Sequence, residues 1–300
     1  MEEDSQEMIE LEVYSINISK DNKEIIFGGA NDTLSVLHIE SNEELFTDEF
    51  NESIFYVNYF EDLILAVTYT GEVFFYKDYT RTLNYNFSEE VSLVKIIDKS
   101  ICIGFESGRF LIIKDNEVIF DYFVSNTNVL DVIIDNFIYL LTKNLLLIYD
   151  CNFQEIKRFS LTESVSFTLF DNILAVVEKN FVSFFNLTKK VNEIYFTEVE
   201  CVVKLNNFLV LGGNFDYLLV IDKNYSVRKI SLQVKGVTRL KVKNQKLFFT
   251  SSDDKFCYGD FYNLCVYASS VGSVFDFDVC DEFFVLGGEK GVIIERFMNV

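Results

Sequence analysis

The chain has 300 residues, no proline, no tryptophan, and a formal net charge of −21 from 47 acidic and 26 basic side chains. With 49% apolar and 16% aromatic residues it can build a core, which excludes global disorder. The acidity argues against direct nucleic-acid or anionic-membrane binding, since both need a basic face, and makes a basic protein the natural partner; solubility alone is the plain alternative use of the charge.

In chain order, residues 1–7 form an acidic tail with Glu2, Glu3, Asp4 and Glu7, and residues 8–300 form one continuous domain. That domain repeats eight times with a period of about 36–40 residues, the mark of a stacked or radial array. The units are 14–38, 54–76, 93–113, 129–149, 165–185, 201–221, 237–258 and 274–297. Each has an apolar run, a polar turn, a second apolar run, another turn and a third run. Their length and their richness in Val, Ile, Phe, Tyr and Leu predict strands. No stretch sustains a helical period with caps.

The second unit shows the plan. IFYVNYF over 54–60 is a first strand, Glu61-Asp62 a tight turn, and LILAVT over 63–68 a second strand. Thr70-Gly71-Glu72 turns into a third strand at 73–76, and a more polar fourth follows at 81–87. Second strands such as LILAV, ICIGF and NFLVLGG are apolar at consecutive positions, which suits burial on both faces. A four-stranded element with an apolar interior and a polar rim is the blade of a β-propeller. The expected fold is therefore all-β, a single β-propeller. The short period favours eight four-stranded blades, with seven as the alternative, since seven would need about 43 residues each. The last unit lacks room for a fourth strand, and 8–12 (MIELE) is expected to supply it and close the last blade.

Turns must rely on Asn, Asp, Ser and Lys, because proline is absent and glycine numbers 13. Cys102, Cys151, Cys201, Cys257, Cys265 and Cys280 form no C-x-x-C pair, and most fall in apolar runs, so reduced buried thiols are expected. The N-terminus is not built like a secretion signal, and no apolar run approaches the length of a membrane span. A cytoplasmic or nuclear location is expected, so Asn51-Glu52-Ser53 and Asn186-Leu187-Thr188 are not expected to be glycosylated.

The turn before the third strand survives as Asn31-Asp32-Thr33, Thr70-Gly71-Glu72, Ser107-Gly108 and Ser252-Asp253-Asp254. The third strands end in Leu37-His38, Tyr76-Lys77, Ile113-Lys114, Tyr149-Asp150, Phe185-Asn186 and Ile221-Asp222. In these positions the chain resembles a diverged WD-repeat propeller over essentially its whole length. It departs from the family in lacking Trp and the Gly-His pair, so the usual buried polar network is expected to be missing from most blades. Shorter likenesses are Phe27-Gly28-Gly29-Ala30-Asn31-Asp32, Asn51-Glu52-Ser53, and Val237-Thr238-Arg239-Leu240 followed by Leu247-Phe248. Near the end come Val274-Phe275-Asp276-Phe277 and Leu286-Gly287-Gly288-Glu289-Lys290-Gly291. In their order the chain resembles the acidic ribosome-assembly propellers, the fungal chaperones related to angio-associated migratory cell protein. That resemblance implies a dedicated, non-enzymatic chaperone for a basic, late-joining ribosomal protein of the 60S subunit. A cytosolic WD-repeat scaffold of a translation-initiation or RNA-processing complex is the alternative.

The strand order puts the turns between second and third strands, and the connections between blades, on one face. That face holds about sixteen acids against about five bases. The expected partner-binding residues are Glu49, Glu52, Glu72, Glu90, Glu106, Glu198, Glu200, Asp216, Asp253, Asp254 and Glu289, led by Glu52 and Glu200. Replacing those two with lysine is expected to abolish capture without lowering the melting temperature. The protein is expected to act as a monomer, without cofactor or metal. His38 is the only histidine and sits at a strand end, His/Cys spacings suit no zinc site, and the Gly-Gly pairs at 28, 212 and 287 lack a phosphate-loop ending and are expected in turns. Adjacent acids such as Asp253-Asp254 carry little catalytic specificity in so acidic a chain, and a propeller hydrolase is the least favoured reading.

Overall fold

The computed structural model describes residues 11–261 and 263–297. They form eight antiparallel sheets in chain order, and no helix occurs among them. Blade 1 comprises β1 (Val13–Ile18), β2 (Glu24–Gly29), β3 (Thr33–His38) and β4 (Glu44–Glu49). Blade 2 comprises β5 (Ile54–Phe60), β6 (Leu63–Thr68), β7 (Glu72–Lys77) and β8 (Thr80–Asn86). Blade 3 comprises β9 (Val91–Ile97), β10 (Ser100–Phe105), β11 (Arg109–Lys114) and β12 (Glu117–Phe123). Blade 4 comprises β13 (Val129–Ile134), β14 (Ile138–Thr142), β15 (Leu145–Tyr149) and β16 (Glu155–Ser160). Blade 5 comprises β17 (Ser164–Phe170), β18 (Ile173–Glu178), β19 (Phe181–Phe185) and β20 (Lys190–Tyr195). Blade 6 comprises β21 (Val199–Leu205), β22 (Phe208–Gly213), β23 (Tyr217–Asp222) and β24 (Val227–Ser231). Blade 7 comprises β25 (Arg239–Lys243), β26 (Lys246–Thr250), β27 (Lys255–Gly259) and β28 (Leu264–Ala268). Blade 8 has β29 (Val274–Val279), β30 (Phe283–Gly288) and β31 (Gly291–Arg296). Eight sheets settle the count: the fold is an eight-bladed β-propeller, not a seven-bladed one.

The expected fourth strand of blade 8 falls partly outside the described residues, at Met8, Ile9 and Glu10, as does the 1–7 tail. Leu11 and Glu12 are described and are not strand. The Glu12 carbonyl accepts the Ala30 amide at 2.9 Å, as Glu90 does from Glu106 and Glu198 from Asn214. Those two acids end the connections that enter their blades, so Glu12 occupies connection, which corrects the 8–12 assignment at its C-terminal end.

The chain divides into two compact units, one of blades 8, 1 and 2, and one of blades 3 to 7. In the first, Ile16, Ile25 and Phe27 pack with Phe283 and Val285, while Ile26, Val36, Ile54 and Phe74 form a second layer between blades 1 and 2. In the second, four such layers recur, for example Phe110, Phe120, Val132 and Leu147 between blades 3 and 4. Middle strands are buried nearly throughout, and outer strands such as β16 alternate exposed and half-buried residues. Burial on both faces is why their second strands read as unbroken apolar runs.

Two local devices repeat. Paired left-handed residues close tight hairpins at Asp78-Tyr79, Asp98-Lys99, Asp115-Asn116 and Asn244-Gln245, as the shortage of glycine requires. A register shift at the start of the first strand leaves Tyr14, Phe55, Ser92, Leu130, Val165, Glu200 and Phe275 as bulged residues; blade 7 alone has none there.

The Gly-Gly pairs are not in turns; each ends a second strand. A Cβ on Gly29 would lie 1.8 Å from the Glu12 carbonyl oxygen, and one on Gly213 1.9 Å from that of Glu198. A Cβ on Gly28 would lie 2.8 Å from Ile54, which opens the next blade. The pairs exist so that connection and neighbouring blade can approach the backbone.

Cys102, Cys257 and Cys280 are buried, Cys201 and Cys265 half-buried, and none is in a disulfide. Cys151 departs from the expectation: it is exposed, in the turn after β15.

Candidate functional site

In each blade the entering connection and the turn between second and third strands lie at the same end of the sheet. Polar staples join the two. Glu52 accepts the Thr70 amide at 3.1 Å and the Thr70 hydroxyl. Glu89 accepts the Ser107 hydroxyl at 2.5 Å, Asp253 the Lys235 amide at 3.1 Å, and Glu289 the Ser273 amide at 3.4 Å. Asp32 accepts from Ser53 of the following connection at 3.1 Å. At the opposite end, former Trp-Asp positions keep one function: Asp150, Asn186 and Asp222 each accept amides of the next turn at 2.8–2.9 Å. His38 does the same, taking the Ser41 amide on Nδ1 at 3.3 Å. Local caps thus replace the missing family network.

In the first unit Asp48 of β4 is paired with Arg81 at 2.8 Å, whose guanidinium lies over Phe50; apart from that pair, the described residues of the staple end include Glu12, Asp32, Glu49, Glu52, Glu72 and Glu289 against one base, Lys290. None of the latter acids is in an ion pair among the described residues. Glu49 is exposed at the end of β4 and its carboxylate makes no hydrogen bond. Glu72 opens β7 and accepts from Asn86 at 3.0 Å. Glu52 is half-buried and stapled, so its replacement by lysine would remove a turn contact as well as a charge; the expectation of unchanged melting does not fit its geometry.

The same end carries an aromatic group that the sequence reading missed. Bulged Tyr14 meets bulged Phe275 at 5.6 Å and Tyr69 at 6.0 Å, and Tyr69 meets bulged Phe55 at 5.1 Å, all edge to face. Tyr69 follows β6 and is 40% exposed. The Tyr14 hydroxyl donates to Glu12 at 2.7 Å; that bond, then burial and the Glu12 charge, push its pKa up to about 12. An aromatic residue just after the start of three first strands was the signal available.

In the second unit several acids are neutralised in place. Arg109 reaches Glu89 at 2.6 Å and Asp121 at 2.7 Å, Lys179 reaches Glu163 at 2.6 Å, and Lys255 reaches Asp253 at 2.7 Å. Burial works to raise the Asp253 carboxyl, but bonds from Lys255, Ser251 and the Lys235 amide outweigh it and hold the pKa near about 2. Glu90, Glu106, Glu198 and Asp216 are exposed, and their backbones carry loop contacts. Asp254 is exposed in left-handed backbone. Glu200 is exposed too, but as the bulged residue of β21 and not in a loop. Glu178 is buried at the end of β18 and accepts from Ser183 and the Thr162 amide.

No group of three metal-binding side chains occurs among the described residues. A family model for a WD40-like domain matches residues 11–294. No curated protein sequence matches the chain. Among solved structures, the computationally designed Ika8 protein is similar with a TM-score of 0.82 and 14% identity, covering 97% of this chain and 98% of its own. Sqt1 of Saccharomyces cerevisiae gives 0.80 and 15%, covering 97% of each. Sqt1 of Chaetomium thermophilum, bound to the N-terminus of the ribosomal protein L10, gives 0.82 and 14%, covering 96% and 97%. At such identities the likeness is one of fold.

Proposed function

The chain belongs to the WD40-like domain family, and from that premise we propose that it is a non-enzymatic chaperone capturing a basic ribosomal protein of the large subunit. The observation that carries the reading is the staple end of blades 8, 1 and 2, where, among the described residues and apart from the Asp48–Arg81 pair, six carboxylates face one lysine and none of the six is ion-paired. Such a surface draws a basic segment from a distance and offers charge-assisted bonds on contact. The fold shared with a Sqt1 that holds the L10 N-terminus supports the class of partner. In the second unit Glu200 is the leading contact, being exposed and free of hydrogen bonds.

The test is titration of the full chain with a synthetic peptide of the L10 N-terminus. Binding should weaken between about 50 and about 150 mM salt as exposed charges are screened. Glu49→Lys and Glu200→Lys should each weaken it with melting unchanged, since neither carboxylate holds a hydrogen bond. Affinity purification should return one ribosomal protein in stoichiometric amount. A multi-subunit complex lacking it would overturn the reading in favour of a scaffold.

A further inference from the structure

The first unit offers more than charge, because its bulged positions are Tyr14, Phe55 and Phe275, where the second unit has Ser92, Leu130, Val165 and Glu200. We propose that the Tyr14–Tyr69–Phe55–Phe275 cluster is a seat for an arginine side chain of the captured segment. This rests on the capture of a basic segment proposed above and adds a demand for guanidinium over ammonium.

The geometry supplies three components. The first is an aromatic surface open to solvent. Tyr69 touches Tyr14 and Phe55 through edge-to-face contacts, and it remains 40% exposed. The second is carboxylate at the border. Glu52 binds the amide of Thr70, the residue after Tyr69; Glu12 holds the Tyr14 hydroxyl; Glu289 holds the amide of Ser273, two residues before Phe275. Each of these acids is oriented by a neutral donor, and a carboxylate has about four acceptor positions, so capacity remains for an incoming cation. The third is a shortage of competing cations: among the described residues Lys290 is the one other base at this end of the unit, since the Arg81 guanidinium over Phe50 is already held by Asp48 at 2.8 Å.

A guanidinium suits this combination. It can lie flat on an aromatic face and still direct its in-plane N–H groups sideways to carboxylates. An ammonium is a compact, strongly hydrated charge and cannot do both with planar donors. The bond from the Tyr14 hydroxyl to Glu12 fixes its ring beside that carboxylate.

The experiment compares a short glycine–arginine repeat peptide with its glycine–lysine counterpart by calorimetry on the full chain. The wild-type protein should bind the arginine peptide about five- to tenfold more tightly. Tyr69→Leu should abolish that preference, and Tyr69→Phe, which keeps both ring contacts, should retain it with melting unchanged. Equal binding of both peptides by the wild-type protein, or a preference that survives Tyr69→Leu, overturns the arginine seat and leaves capture of basic segments standing. Binding of neither peptide overturns both.

Discussion

Blades 8, 1 and 2 and blades 3 to 7 share one repeat but treat its acids differently. In the first unit Glu52, Asp32 and Glu289 are anchored by hydroxyls and amides, which fix a carboxylate without cancelling its charge. In the second, Glu89, Glu163 and Asp253 meet Arg109, Lys179 and Lys255. At these stapling positions the same repeat therefore yields available charge in one region and spent charge in the other, while Glu90, Glu106, Glu198, Glu200 and Asp216 of the second unit stay exposed. Formal net charge does not separate these cases; the residue on the facing turn does.

The bluntest way to break the comparison is to ask whether the units depend equally on their cores. Phe277 in the first and Phe110 in the second are fully buried. Truncating either to alanine should cost about 3–5 kcal/mol in urea unfolding. A loss under about 1 kcal/mol at one site alone would mean that region can collapse around the gap. Next come the close approaches. Gly29→Ala and Gly213→Ala place a Cβ within 2 Å of a carbonyl oxygen and should each cost about 3 kcal/mol. Gly291→Ala meets nothing within 4 Å and bears only the strain of its φ of +104°, so about 1–2 kcal/mol is expected from the same melts.

Much of the fold was legible because strands buried on both faces read as unbroken apolar runs, while outer strands alternate. IFYVNYF and LILAVT fall where their patterns put them, at β5 and β6. Repeat spacing alone favoured eight blades, since each sheet is one period long. The bulge was not legible: in Tyr14-Ser15-Ile16 a one-residue offset changes no letter, only which residue goes unpaired. Nor was the role of Gly28-Gly29, because a close backbone approach and a tight turn both call for glycine. The acids were the hardest. Glu178 and Glu200 look alike in sequence, yet one is buried under two donors and the other exposed. A usable signal does exist in the recurrent offset of 18 between an acid and a turn hydroxyl, as in Glu52 with Thr70 and Glu89 with Ser107.

A subtler test converts spent charge back into available charge. Arg109 is 19% exposed and bonds both Glu89 and Asp121. Arg109→Met keeps its contact with the Phe87 and Phe105 rings but removes both ion pairs. Stability should fall by about 2 kcal/mol, the usual size for charge-assisted bonds at partly buried sites. The same variant should bind the arginine repeat peptide more tightly, since Glu89 is released. Unchanged binding would mean that Glu89 and Asp121 play no part in capture.

The smallest effect is the most diagnostic, because it is confined to a pH window. Asp253 has a folded pKa of about 2, whereas an unfolded aspartate titrates near about 3.9. A depressed carboxyl stabilises the fold wherever it is ionised in both states, so its contribution is complete above about pH 4 and disappears as pH falls from there to about 2. Asp253→Asn should therefore be less stable than wild type at neutral pH by about 1 kcal/mol, a value kept low because solvent screens a quarter-exposed pair with Lys255. Urea melts of both proteins between pH 7 and pH 2.5 should converge at the acid end. A constant offset across that range would assign the effect to shape and not to charge. Asp253 would then be a turn residue like Asp32, and the electrostatic contrast between the two units would be smaller by one ion pair.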